Sequence, residues 1–252
     1  MFNIIGQSST RIKTGIILMI GLLILGYIDS LGLTWLFLGV TMIIALSEAM
    51  NLFDIDENKI YLYAAFIWIG AYFYPNPQDL IFVVGVIFAS ILAYTKNLDK
   101  KMFLPLLYPI VSYLFLFSLY VFYGMSILLW LLVIVAGTDI GAYFIGKSKG
   151  KTSFCATSPN KTLEGVFGGV ITAAILGMVF APENLGFFSS LIISLLVAIS
   201  SIFGDLFESY LKREADIKDS GDILPGHGGI LDRTDGYLFG GIIMFVLLRL
   251  FI

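Results

Sequence analysis

The sequence predicts an all-α protein, a polytopic transmembrane helical bundle of about nine spans with a cytoplasmic N-terminus. Hydrophobic residues make up 58% of its 252 residues and charged residues only 13%, whereas soluble domains carry about 25% charged residues. The apolar residues fall in long runs between short polar connections, as in membrane-spanning helices. The basic residues are concentrated on alternate connections, which is the asymmetry that orients membrane proteins.

Nine apolar runs are the predicted spans. They cover Gly15–Ile28, Leu31–Leu46, Ile60–Tyr74, Leu80–Tyr94, Met102–Tyr123, Met125–Gly146, Leu163–Ala181, Leu185–Gly204 and Gly236–Ile252. Several are shorter than the roughly 20 residues that cross a bilayer straight, so flanking residues must complete the crossing. We expect one integral membrane domain over 1–252, in which the spans of 1–123 precede a motif-bearing half over 125–252.

The distribution of charge predicts the orientation. With the N-terminus inside, 14 of the 15 Lys and Arg residues lie on cytoplasmic segments and none on the opposite connections. The two longest polar segments, 147–162 and 205–235, share the cytoplasmic side. Chemistry is therefore expected at the cytoplasmic face of the cell's inner membrane, in contact with membrane lipids.

The stretch 209–235 concentrates polar groups in an otherwise apolar chain. Carboxylates hold hard cations, Lys and Arg bind phosphoryl oxygens, and glycines let backbone N–H groups come close. The stretch therefore predicts a site for metal ions and phosphates. It contains the only histidine, His227, in a stretch that Gly221, Pro225, Gly226, Gly228 and Gly229 predict to be a loop. General base, metal ligand and hydrogen-bond partner within the loop all remain open roles for His227.

The eighth span is predicted to continue as a helix beyond its apolar limit, to about Glu214. Asp205, Ser209 and Lys212 then share one face of that helix, since they follow an i, i+4, i+7 spacing. Glu208 and Lys212 are an i,i+4 pair, which fits either a surface ion pair or a part of the site.

Two further polar features lie upstream. Asp139 stands within an apolar span, where a carboxylate costs about 2.5–3.5 kcal/mol unless it has a partner or a water-filled cavity. Ser158 and Pro159 are predicted to open a helix whose first turn contains Lys161 and Thr162. Free N–H groups and the helix dipole favour an anion there, which predicts a seat for phosphate.

The specified positions within 209–235, here called the signature-like run, support a family assignment. The run reads Ser209-x-Leu211-Lys212-Arg213-x4-Lys218-Asp219-x-Gly221-x2-Leu224-Pro225-x-His227-Gly228-Gly229-x2-Asp232-Arg233-x-Asp235. This run resembles the signature of the phosphatidate cytidylyltransferases, or CDP-diacylglycerol synthases, at every specified position. The segments around Asp139, at 158–165 and at 204–209 are similar to that family too. Recognisable motifs cover about 137–240, and the first half matches only as generic apolar spans.

The resemblance implies the reaction CTP + phosphatidate → CDP-diacylglycerol + pyrophosphate, in a polar cavity open to the cytoplasm. It also implies a dependence on Mg²⁺, with K⁺ as a second cation, and a homodimer; no nucleic-acid partner is expected. Asp205 and Asp232 are the expected metal ligands. The expected catalytic or metal-orienting groups are Asp139, Lys218, Asp219 and Arg233. The expected substrate-binding residues are Lys161, Thr162, Ser209, Lys212, Arg213, His227, Gly228 and Gly229.

Other functions are compatible with some of these residues. A CTP-dependent lipid or polyprenol kinase, or a cytidylyltransferase of another lipid phosphate, would use similar groups, but the intact signature argues against both. A cation-coupled transporter could use Asp139 and Asp205 as an ion path. Such a protein distributes polar residues through the depth of the bilayer, whereas this chain collects its charge on one side.

Overall fold

The computed structural model describes residues 2–96 and 99–252, with side chains over 13–96 and 99–252. Within these ranges the chain forms nine helices, and its only extended pairings are two isolated β-bridges. The helices are α1 (Phe2–Ile28), α2 (Leu31–Leu52), α3 (Lys59–Phe73), α4 (Leu80–Thr95), α5 (Lys100–Tyr123), α6 (Met125–Lys149), α7 (Leu163–Val179), α8 (Phe187–Glu214) and α9 (Leu231–Phe251). The all-α prediction is confirmed, and each predicted apolar run lies on one of these helices or extends beyond its ends by at most two residues.

Six of the helices are long and apolar enough to cross a membrane. They are α2, α4 together with its preceding turn, α5, α6, α8 and α9. The apolar parts of α1, α3 and α7 have 10–17 residues, shorter than a straight crossing requires. The chain is therefore a multi-pass membrane protein.

Helix ends extend further than hydropathy alone indicates. α8 runs to Glu214, so the predicted polar continuation of the eighth span is confirmed. α9 begins at Leu231, five residues before the predicted apolar run, so Asp232, Arg233 and Asp235 lie on the helix. Acidic residues in a first helical turn are favoured by the helix dipole, which accounts for the early start at Asp232.

The chain divides into two compact units. The first comprises Met1–Ser118 and Glu214–Arg233, and the second comprises Leu119–Arg213 and Thr234–Ile252. The first unit thus contains the loop of the signature-like run together with helices that carry no recognisable motif.

Two tryptophans join α2 to α3 in the first unit. Trp35 Nε1 donates to the Trp68 carbonyl at 2.9 Å, and Trp68 Nε1 donates to the Trp35 carbonyl at 3.2 Å. The Trp68 ring also packs against Gly39, where a Cβ would collide with the indole. This reciprocal pair satisfies both indole N–H groups within an apolar interface.

Small residues bring the helices of the second unit together. A Cβ at Gly137 or Gly141 of α6 would collide with side chains of α7, and Trp130 Nε1 donates to the Gly177 carbonyl at 2.7 Å. On α8, a Cβ at Gly204 would collide with the backbone carbonyl of Asp235 on α9. Such residues permit the close helix packing that is typical of membrane proteins. The motif-bearing helices of this unit are therefore held at short range.

Candidate active site

The predicted site residues divide between the two units. Lys218, Asp219, His227, Gly228, Gly229, Asp232 and Arg233 belong to the first unit, and Asp139, Lys161, Thr162, Asp205, Ser209, Lys212 and Arg213 belong to the second. The structure brings several members of each group together.

The signature loop, residues 215–230, connects α8 to α9 and contains the predicted glycine-rich turn. Leu224 N donates to the Gly228 carbonyl at 3.0 Å, and His227 N donates to the Leu224 carbonyl at 2.8 Å. Gly226 and Gly228 have φ angles of 78° and 80°, a left-handed conformation that favours glycine. The prediction that these glycines shape a loop is confirmed.

The Asp232 carboxylate binds two segments of this loop, at Ser220 and at Gly229. Its Oδ2 accepts hydrogen bonds from Ser220 N at 2.9 Å, Ser220 Oγ at 3.0 Å and Gly229 N at 2.8 Å. A Cβ at Gly228 would approach Oδ2 to 2.6 Å, so the close approach itself requires glycine. Any role of Asp232 as a metal ligand is therefore combined with a role in fixing the loop.

Glu48 is the second carboxylate that binds the signature loop, and the sequence analysis did not predict it. It lies on α2 with 6% of its surface exposed, and accepts hydrogen bonds from Ile230 N, Leu231 N and Ser220 Oγ. A signal was available, because Glu48 is the only charged residue in the apolar helix Leu31–Leu52. A buried carboxylate in such a helix needs partners.

His227 serves the loop through its backbone. Its carbonyl accepts from Arg233 Nε at 2.8 Å, which joins the loop to the first turn of α9. The His227 ring packs against Gly15 of α1, and its Nδ1 is buried without a hydrogen-bond partner. Lys218 and Asp219 are exposed on the same loop. These hydrogen bonds use the backbone of His227, so the roles left open for its imidazole stay predictions.

In the second unit, Lys161 forms an ion pair with Asp205, although the two residues are 44 positions apart. Ser209 Oγ donates to Asp205 Oδ1 at 3.4 Å, as the i,i+4 spacing on α8 predicts. Both charged side chains are partly exposed, at 28% for Lys161 and 34% for Asp205. The carboxylate therefore has a cationic and a hydroxyl partner while a part of its surface remains accessible.

The segment that presents Lys161 differs from the prediction. The helix does not open at Ser158 and Pro159; α7 begins at Leu163, and Thr162 caps it by accepting from Gly165 N at 3.2 Å. The helix starts later because Lys161 and Thr162 are in extended pairing, with Phe154 N donating to the Lys161 carbonyl at 2.8 Å. Lys161 thus lies just before the helix and not in its first turn.

Glu164 stabilises this pairing. Its carboxylate accepts from Lys151 N at 3.1 Å, Thr152 N at 3.2 Å and Thr152 Oγ1 at 3.1 Å. The backbone carbonyl of Thr152 in turn accepts from Leu163 N at 2.9 Å. The Glu164 carboxylate, in the first turn of α7, therefore fixes residues 151 and 152, which lie in the same connection as Lys161.

Glu208 and Lys212 form a buried pair on α8. Lys212 Nζ lies 3.2 Å from Glu208 Oε2, and the exposed fractions of the side chains are 12% and 0%. Glu208 also interacts electrostatically with Asp235 of α9, a residue of the signature to which no role was assigned. Of the two readings of this pair, the structure excludes a surface ion pair.

Asp139 and Arg213 are the remaining predicted site residues of the second unit. Asp139 is exposed on α6 and interacts electrostatically with Tyr237 of α9. Arg213 is exposed in the last turn of α8.

The donor types fit a magnesium ion that binds together with a nucleotide. Mg²⁺ prefers carboxylate oxygens, and usually takes one or two of them and completes its shell with phosphates and water. Asp205 offers such a carboxylate on an accessible face. Among the residues that the structure describes, no three His, Cys, Asp or Glu side chains form a preformed metal cluster.

The comparisons with known proteins concern nearly the entire chain. The model of the cytidylyltransferase family matches residues 9–251. A protein of Helicobacter pylori strain J99 named phosphatidate cytidylyltransferase is 43% identical over 96% of this chain and 92% of its own length. The protein of that name from strain 26695 is 44% identical over the same shares. One from Bacillus subtilis is 46% identical over 51% of this chain and 49% of its own.

The family model matches residues 9–251, and two relatives align over 96% of the chain. The chain is a member of the cytidylyltransferase family.

Proposed function

We propose that this protein transfers a cytidylyl group from CTP to phosphatidate, producing CDP-diacylglycerol and pyrophosphate in phospholipid biosynthesis. The observation that carries the proposal is the pairing of Lys161 with Asp205 in a chain whose near full-length relatives are named phosphatidate cytidylyltransferase. A lysine and a carboxylate on one accessible face suit a substrate that arrives as a metal-bound polyphosphate.

The chemistry requires positioning more than proton transfer. An oxygen of the phosphatidate phosphate attacks the α-phosphorus of CTP, the bond to the β-phosphate oxygen breaks, and pyrophosphate leaves with the electron pair. The nucleophile is already an anion, so no strong general base is needed. The barrier lies in bringing two polyanions together and in stabilising the charge that develops on the phosphoryl oxygens.

The basic residues supply that stabilisation in the proposal. Lys161, Lys212 and Arg213 bind the phosphates of CTP or phosphatidate on the side of α8. Lys218 and Arg233 do the same from the signature loop and the start of α9. Thr162, Ser209 and the backbone of Gly228 and Gly229 contribute hydrogen bonds, and Asp139 and Asp219 orient the cationic groups. The carbonyl of His227 keeps the Arg233 guanidinium in place.

We further propose that Asp205 and Asp232 hold Mg²⁺, with K⁺ as a second cation. When bound, these ions neutralise phosphate oxygens and stabilise the departing pyrophosphate. The accessibility of Asp205 supports this assignment, because its side chain is 34% exposed and can meet a cation that arrives with the nucleotide.

The proposed arrangement in the membrane follows the charge asymmetry. We place nine spans in the inner membrane, with the N-terminus and the site on the cytoplasmic side and the acyl chains of the substrate in the bilayer. The three shorter helices complete their crossings with flanking residues or by tilting. A homodimer is proposed on the strength of the family resemblance.

The test uses purified protein in detergent with phosphatidate, Mg²⁺ and CTP labelled at the α-phosphate. We expect label in the lipid phase with the wild type and its loss with Asp232→Asn. The matched control is Asp54→Asn, at an exposed loop position with a φ of 53°, a conformation that asparagine tolerates. Transfer of a γ-phosphate label to a lipid alcohol, with no α-label transferred, would replace this proposal with a lipid kinase.

A further inference from the structure

Glu48 is a buried carboxylate that the proposed reaction does not use. It lies near the end of α2, a helix without other charged residues, and only 6% of its surface is exposed. A carboxylate in such a position costs free energy unless hydrogen-bond donors surround it. The identity of its donors therefore indicates its role.

Each oxygen of Glu48 accepts from the junction of the signature loop with α9. Oε1 accepts from Ile230 N at 2.9 Å, and Oε2 accepts from Leu231 N at 2.7 Å. These are amides at the start of α9, where backbone N–H groups lack partners within the helix. Glu48 therefore caps α9 from another helix, more than 180 residues away in the sequence.

Ser220 connects Glu48 to Asp232. Its Oγ lies 3.2 Å from Glu48 Oε2 and 3.0 Å from Asp232 Oδ2, so that one hydroxyl proton serves two carboxylates. Ser220 N also donates to Asp232 Oδ2 at 2.9 Å. A displacement of Glu48 would therefore be transmitted to Asp232 both through Ser220 and through the first turn of α9.

Two glycines of the loop make room for the Glu48 carboxylate. A Cβ at Gly221 would lie 2.6 Å from Oε1, and a Cβ at Gly229 would lie 2.5 Å from Oε2. Neither glycine has the positive φ that would otherwise explain its presence. The lack of a side chain at Gly221 and Gly229 therefore leaves the room that the Glu48 carboxylate occupies.

We infer that Glu48 is a positioning residue for cytidylyl transfer, which sets Asp232 and the start of α9 through Ser220, Ile230 and Leu231. This inference rests on the proposed function. Glu48 touches loop donors and not the reacting atoms, so its effect passes through Asp232 and the metal site proposed there. Residues that orient ligands in this way typically change metal affinity or activity 10- to 100-fold when they are replaced.

The direct test is Glu48→Gln, which preserves the shape of the side chain but turns an NH₂ group toward a backbone N–H. The control is Glu57→Gln, since Glu57 lies on the following loop and accepts from Lys59 N at 3.2 Å. In the full-length protein we expect faster amide exchange over 220–231 and a half-saturating Mg²⁺ concentration raised about 10- to 100-fold. The Tm should keep most of its wild-type value, and Glu57→Gln should leave all three measurements unchanged.

Gly221→Ala provides an independent variant, because it displaces the carboxylate without removing it. Its effects on Mg²⁺ dependence and exchange should resemble those of Glu48→Gln, and should largely disappear in the Glu48→Ala background if both act through the same contact. This variant also tests the inference if Glu48→Gln does not yield folded protein.

The outcomes separate the inference from the function on which it rests. Wild-type Mg²⁺ dependence and exchange in Glu48→Gln, or additive effects of Gly221→Ala and Glu48→Ala, would overturn the inference while leaving the transfer reaction intact. If the wild type transferred no cytidylyl group, the proposed function would fail. Amide exchange over 220–231 would then still decide whether Glu48 holds the loop.

Discussion

Lys161 forms an ion pair with Asp205, which joins the loop before α7 to the polar continuation of α8. Each residue belongs to a motif of its own, and nothing in their spacing requires them to meet. Their contact places residues of the two motifs together at one partly exposed position.

Replacing Lys161 with methionine should remove a phosphate-binding cation while retaining most of the aliphatic side chain. We expect kcat/KM for CTP to fall about 100-fold or more, on the scale of losing a charge-assisted contact to a phosphate, roughly 3 kcal/mol. The measurement is steady-state transfer of α-label to phosphatidate. Lys149→Met is the control, since Lys149 is exposed in the last turn of α6; equal losses in the two variants would contradict the assignment.

Lys212→Met should destabilise the protein, because it leaves the fully buried Glu208 without its cation. Breaking a buried pair in this way typically costs about 3–5 kcal/mol. We expect a clear decrease in the unfolding midpoint in detergent, partly recovered in the double variant Glu208→Gln/Lys212→Met. An unchanged midpoint for Lys212→Met would show that the pair contributes nothing to stability.

Glu164→Ala should loosen the pairing that presents Lys161, since it removes the acceptor of three hydrogen bonds from residues 151 and 152. We expect the KM for CTP to rise several-fold and protease cleavage within 147–162 to accelerate. Glu183→Ala, on the exposed connection between α7 and α8, provides the comparison. If both variants behaved as the wild type, Glu164 would have no part in presenting Lys161.

The single cysteine offers a test of orientation. Cys155 lies in the connection 150–162, is partly exposed and has a free thiol. The charge asymmetry predicts that a membrane-impermeant maleimide labels it only from the cytoplasmic side of sealed vesicles. A cysteine introduced at Asn76 in a Cys155→Ser background should show the opposite pattern; labelling of Cys155 from the outer side would invert the proposed topology.

Hydropathy was sufficient to predict the helices, because an apolar run within lipid can satisfy its backbone only by forming a helix. It could not place helix ends that depend on polar contacts. α7 starts at Leu163 because Thr162 caps it, and α9 starts at Leu231, where Glu48 accepts from its first amides. Both ends are set by side chains and not by hydrophobicity.

The site was predictable where its members belong to one motif. Ser209 and Asp205 meet because they are one helical turn apart. Glu48 could not be assigned to the loop, because it is 172 residues from Ser220 and its own helix has no motif. A lone carboxylate in an apolar helix indicates that partners exist, but the sequence does not say which.

The most direct test of the account is the initial rate of CDP-diacylglycerol formation as a function of Mg²⁺ concentration, in the wild type and in Asp205→Asn. Asp54→Asn is the matched control, an exposed Asp→Asn change in a loop of the first unit. The account predicts a saturable, Mg²⁺-dependent rate for the wild type and the control, and a rate at background for Asp205→Asn at every Mg²⁺ concentration. Wild-type dependence in Asp205→Asn would contradict the assignment of this carboxylate to the centre of cytidylyl transfer.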